Sequence, residues 1–170
     1  MICIMGWLDL KLAGWFLLSA ILHELGHLLV LFFLRIPVAK IRVRCCGAVI
    51  CTCFPGYWKE LLCAAGGPIV SLLAATFIGK QYSDLRIVSL LLGIINLLPL
   101  YPLDGGRILR CGLLLCFSEE RSNRIAKCTA YVVGSMLLFL VCWGTTVFQA
   151  GIWPIFLALA LLWRIGENEK

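Results

Sequence analysis

Charge is what this sequence has least of. Only 14% of its 170 residues are Asp, Glu, Lys or Arg, and 62% are hydrophobic. Soluble domains carry about a quarter charged residues. So little charge cannot clothe a globule of this size in water-facing side chains, which excludes an ordinary soluble enzyme and points to a polytopic membrane protein. Histidine is scarcer still, with two in the whole chain. No CxxC pair occurs among the ten cysteines, so they show no paired CxxC framework. Several of them lie in apolar runs, where a free thiol behaves as a small hydrophobe. The cluster Cys45, Cys46, Cys51 and Cys53 admits two readings: a second metal or oxidation-sensing site, or reduced thiols in a cytosol-facing loop. There is no internal repeat and no stretch polar enough for an appended soluble domain. The net charge of +6 would suggest nucleic acid in a soluble protein. Here it reads as a signal of membrane orientation, and no nucleic-acid partner is expected.

What is present is concentrated in five positions. Both histidines belong to His23-Glu24-Leu25-Gly26-His27, inside an apolar run at residues 12–34 that holds no other charged residue. Residues four apart lie about 40° apart around a helix, so the two imidazoles can share one metal ion. Glu24, about 100° from His23, can hold a water beside that metal and take its proton. This is the zincin arrangement, and an ionisable group at membrane depth is a functional signal in its own right. A catalytic zinc usually takes three protein ligands and keeps one position open. Of the nine acidic residues, Asp9, Glu60, Asp84, Glu119, Glu120, Glu167 and Glu169 lie at the margins of apolar segments or in connections. Glu24 and Asp104 fall at depth. With Glu24 as the base, Asp104 is the natural third ligand, and the thiols of Cys63, Cys111 and Cys116 are its competitors.

The pattern predicts an all-α polytopic membrane protein of about four to five transmembrane helices, with a broken third segment and a small β-hairpin after the first span. The core spans are expected at residues 12–34, 58–78 and 87–117, and peripheral spans at 128–147 and 152–163. The last contains Pro154 and reads either as a short fifth span or as a re-entrant piece. Period-two alternation from Val38 to Cys45, followed by Gly47, suggests the hairpin. Asn96, Pro99, Pro102, Gly105 and Gly106 make a continuous third helix improbable. They predict a helix to about Leu98, then an irregular turn holding Asp104 in a wet cavity, with Arg107 and Arg110 snorkelling or lining its entrance. Residues 118–127 read as a polar, basic loop. Residues 1–10 are too short and irregular for a cleavable signal peptide. Lys and Arg gather on one side of a five-span arrangement, and that side should be cytoplasmic. The site would therefore open toward the cytoplasm.

The HELGH stretch, then Gly67-Pro68, then Asn96-Leu97-Leu98-Pro99-Leu100-Tyr101-Pro102-Leu103-Asp104-Gly105-Gly106, resembles the site-2 protease family of intramembrane zinc metalloproteases. The likeness is nearest to its sporulation branch, of the stage IV sporulation protein FB type. The resemblance implies one metalloprotease domain over residues 1–170. It implies Zn²⁺ on His23, His27 and Asp104, Glu24 as base, and Asn96 and Pro102 beside the bound substrate strand. It also implies a membrane-associated protein substrate, such as a sporulation sigma-factor precursor, and regulatory membrane proteins as further partners. That branch usually has an extra span before the metal helix and a cytosolic CBS domain; neither is read in this sequence, nor is a PDZ domain. Many members have Asn three residues after the Gly-Pro, where this chain has Ser71. The rival readings are a membrane zinc transporter or sensor, which would need more charge carriers on several helices, and a catalytically inactive relative that binds membrane proteins.

Overall fold

The computed structural model describes residues 2–36, 40–44, 47–51 and 56–148. In chain order these form α1 (Ile2–Phe33), β1 (Lys40–Arg44), β2 (Gly47–Cys51), α2 (Tyr57–Phe77), α3 (Ser83–Asn96), α4 (Asp104–Cys116) and α5 (Glu119–Phe148), with a 3-10 turn at Lys80–Tyr82 before α3. The chain divides into two compact units, Met1–Leu97 and Leu98–Lys170.

Three helices among the described residues are long and apolar enough to cross a membrane: Leu10–Phe33 of α1, Tyr57–Phe77 of α2 and Glu119–Thr145 of α5. Their outward faces carry large apolar side chains such as Leu17, Phe32, Phe77, Val132, Met136 and Phe139, all exposed. An apolar surface of that extent is unfavourable in water and favourable against lipid tails. The sequence expectation of four to five spans included residues 152–163, which lie outside the described residues.

In the first unit α1 packs against α2 and α3, and α2 against α3. α1 ends in a Schellman turn. Ile36 N–H donates to the Leu31 carbonyl at 3.0 Å and Arg35 N–H to that of Phe32 at 3.1 Å. Leu31 and Ile36 are buried in one apolar cluster, which is the contact that accompanies this motif. Arg35 occupies the left-handed position with φ 51°, where glycine is usual. Left-handed backbone costs an L-residue about 1–2 kcal/mol. Glycine's greater chain entropy offsets about 0.5–1 kcal/mol of that. Arg35→Gly is therefore expected to stabilise the protein by about 0.5–1 kcal/mol, read as a raised unfolding temperature in detergent. β1 and β2 pair antiparallel, with Lys40 opposite Cys51 and Arg44 opposite Gly47.

The long apolar segment at 87–117 is broken, with helix boundaries that differ from the expected ones. α3 starts earlier, at Ser83, and stops at Asn96. In the second unit, Leu100 is buried and caps a small core with Ala130, flanked by Leu98, Leu103, Val133 and Leu137. Asp104 does not lie in an irregular turn. It is the first residue of α4, because Gly106 and Arg107 N–H both turn back to the Leu103 carbonyl and wind the helix from there. The polar stretch expected to be a loop is also helical. Residues 119–127 are the opening turns of α5, where Glu119 and Glu120 complement the helix dipole and Ser122 is wholly buried. Arg110 reaches across from α4, donating to Asn123 Oδ1 at 3.0 Å and lying 3.9 Å from Glu119.

Candidate metal centre

The site begins with the meeting of α1 and α2. Gly26 and Gly66 lie where the two helices cross, with backbone against backbone. A Cβ built on Gly26 would run into the Gly66 carbonyl, and one on Gly66 would stand 2.7 Å from the Gly26 oxygen. Only residues without a side chain allow this approach. The crossing falls between His23 and His27, so it seats both rings against α2. Their centroids are 5.0 Å apart with planes at 80°. Both residues are buried.

Each ring is held by its Nδ1. His27 Nδ1 lies 2.7 Å from the Cys63 carbonyl oxygen. A carbonyl only accepts, so Nδ1 carries a proton, and in the neutral ring the lone pair is then on Nε2. His23 Nδ1 lies 2.9 Å from Ser71 Oγ. The Nε2 atoms converge on one patch of α2 backbone. A Cβ on Gly67 would fall on His27 Nε2 and lie 2.7 Å from His23 Nε2. Two imidazoles with anchored Nδ1 and neighbouring Nε2 atoms are oriented as metal ligands are. Glu24, next along α1, is half-buried.

Asp104 comes from the second unit. It is buried at the first position of α4, where the helix N-terminus favours a carboxylate. Gly106, two residues on, is pressed onto the preceding loop: a Cβ there would be 2.6 Å from the Leu100 carbonyl carbon and the Tyr101 nitrogen. His23 and His27 lie in the first unit, and Asp104 carries its carboxylate at the start of α4 in the second. Cys63 Sγ is turned to the His27 carbonyl at 3.9 Å, Cys111 is buried in α4, and Cys116 is exposed at its end. Two neutral imidazoles and a carboxylate are a donor set that suits Zn²⁺ and leaves a coordination position open.

The two expected substrate-side residues are each partly buried. Asn96 is the last residue of α3, and its Nδ2 donates back to the Leu92 carbonyl at 3.0 Å. Pro102 follows a cis peptide bond from Tyr101. The sequence marked Ser71 only as a departure from the family's Asn and Cys63 only as a competing thiol, and neither as a partner of an imidazole. Only the small-residue run Gly66-Gly67-Pro68 signalled close packing against the metal helix.

The sequence model of peptidase family M50 matches residues 78–141 of the chain. A zinc metalloprotease of Methanocaldococcus jannaschii is 32% identical over 139 residues, covering 74% of this chain and 40% of the relative. The chain thus spans less than half the length of that curated relative. Among solved structures, a site-2 protease from Methanocaldococcus jannaschii superposes with a TM-score of 0.64 at 27% identity, covering 92% of this chain and 76% of that one. These likenesses support peptidase family M50, of the site-2 protease type, and with the three apolar helices they support a membrane protein.

Proposed function

We propose, from this likeness to peptidase family M50, that the chain is a site-2-protease-type zinc metalloendopeptidase, one domain over residues 1–170, which hydrolyses a peptide bond in or beside the membrane. The observation that carries the reading is the pair of His23 and His27 Nε2 atoms gathered over Gly67 with both Nδ1 atoms held by α2. His23 and His27 would hold the zinc, with Asp104 as third ligand. Bound there, zinc would polarise the scissile carbonyl and bring the pKa of a water toward about 7. The Glu24 carboxylate takes a proton from the attacking water and returns it to the leaving amine. Asn96 retains a second amide hydrogen beyond the one given to Leu92, and this hydrogen would serve the developing oxyanion; Pro102 would lie beside the substrate strand.

The substrate is a membrane-associated protein. A helix bonds its own carbonyls, so the cleaved stretch must unwind first, and an edge of the β1–β2 pair would hold it extended by strand addition. A regulatory proprotein, such as a sporulation sigma-factor precursor, is the class that the sequence resemblance suggests, with regulatory membrane proteins as partners. The apolar segments suggest four to five spans and the sequence resemblance a bacterial cytoplasmic membrane, and the sidedness of Lys and Arg would open the site to the cytoplasm.

The test is zinc analysis of purified protein together with a cleavage assay. Asp104→Asn is expected to weaken zinc binding at least tenfold, by an amount on the order of 10–100-fold, and to lower activity with it, because a neutral amide is a poor ligand. Replacing Cys63, Cys111 and Cys116 together by Ala should leave zinc in place. Full zinc in the Asn variant and loss of zinc in the Cys variant would move the third ligand to a thiolate.

A further inference from the structure

The two imidazoles are not held alike. His27 faces a backbone carbonyl, which fixes its tautomer. His23 faces the Ser71 hydroxyl, which can donate as well as accept. If Ser71 donates, the His23 proton moves to Nε2 and the metal-facing nitrogen loses its lone pair. If Ser71 accepts, the lone pair of the neutral ring is on Nε2. Ser71 is wholly buried on α2 and comes from 48 residues along the chain. Room for it is made by Gly93 of α3, where a Cβ would stand 3.2 Å from Ser71 Cβ and from Leu72. Three helices thus converge behind one ring nitrogen: α1 supplies His23, α2 the hydroxyl, and α3 the glycine that lets it approach. A buried hydroxyl pair, in which Ser19 Oγ donates to Ser89 Oγ at 3.1 Å, begins one turn before His23 on α1 and joins two serines rather than a serine and an imidazole.

We infer that Ser71 is a positioning residue for the metal centre: its oxygen accepts the Nδ1 proton of His23, fixing the tautomer and ring plane in which Nε2 can bind zinc. The inference rests on the metalloprotease reading and adds to it a residue that holds a ligand. Outer hydrogen-bond partners of ligating histidines typically contribute about 10–100-fold in metal affinity.

The experiment is chelator competition for zinc in detergent-purified protein, with the visible spectrum of the cobalt(II)-substituted protein as a second readout. Ser71→Ala is expected to lower zinc affinity about 10–100-fold and to change the cobalt spectrum, as an unanchored ring alters the ligand field. Ser71→Thr keeps the hydroxyl and should recover most of the affinity. Ser19→Ala removes the other buried hydroxyl bond and should cost thermal stability without moving zinc affinity or the cobalt spectrum. Should Ser71→Ala not fold, Ser71→Cys, of similar size but with a weak acceptor, takes its place and should lose affinity in the same direction. Unchanged affinity and spectrum in the folded Ala or Cys variant overturn the inference. Equal losses in Ser19→Ala and Ser71→Ala overturn it too, since they would mark a packing effect. A wild-type chain that binds no zinc sinks the metalloprotease reading instead, so the two failures are distinguishable.

Discussion

Glu24→Gln should abolish peptide cleavage while zinc remains bound at wild-type stoichiometry. The amide keeps the size and shape of the carboxylate, so α1 and its two histidines should be undisturbed. What it loses is the ability to take a proton. A positioned general base is worth about 10²–10⁴-fold in rate, and here the same group must also protonate the leaving amine, so the loss should lie at the upper end of that range or beyond it. Glu24 is half-buried and follows His23 on the helix, about 100° from it. That position suits a group working beside the metal better than one completing its shell. Zinc content and cleavage rate measured on the same preparation decide the matter. If the folded Gln variant loses stoichiometric zinc, Glu24 is a ligand and the base lies elsewhere.

Gly67→Ala is expected to be severely damaging to the metal centre. The added carbon would land on His27 Nε2 and stand 2.7 Å from His23 Nε2, well inside van der Waals contact with both metal-facing nitrogens. The rings cannot swing away without breaking their Nδ1 bonds to Ser71 and Cys63. The helices cannot part without losing the Gly26–Gly66 crossing. Overpacking of this kind costs about 1–3 kcal/mol of stability. The effect on function should be larger, since a displacement of about 1 Å in a catalytic constellation can cost about 10²-fold in rate. Zinc affinity and activity should both collapse, while Gly14→Ala, at a glycine with no atom within 4 Å of a built Cβ, should change neither. Wild-type zinc affinity in Gly67→Ala would show that the two Nε2 atoms do not bind metal over that patch of backbone.

Much of the centre is legible in a single stretch of chain because its geometry is local. The helical repeat alone puts His23 and His27 on one face and Glu24 beside them. The lack of any other histidine, and the scarcity of acids away from segment margins, direct attention to Asp104 by elimination. The break after Asn96 is equally local, since prolines and glycines interrupt any helix. Other features depend on partners distant in sequence. Charged residues 119–127 carry no apolar period and read as a loop, yet they are the first turns of α5, with Ser122 buried by its tertiary surroundings. Asp104 reads as part of an irregular turn, yet it opens a helix because Gly106 can lie flat on the Leu100–Tyr101 backbone. The sequence by itself determined that His23, Glu24 and His27 share one stretch of an apolar helix, because residue chemistry and the 3.6-residue period need no partner. Only the tertiary structure decided how the imidazoles are aimed. The Cys63 carbonyl lies 36 residues from His27 and the Ser71 hydroxyl 48 from His23, and their meeting depends on the rotation and register of α2 on α1, which the contact of Gly26 with Gly66 sets.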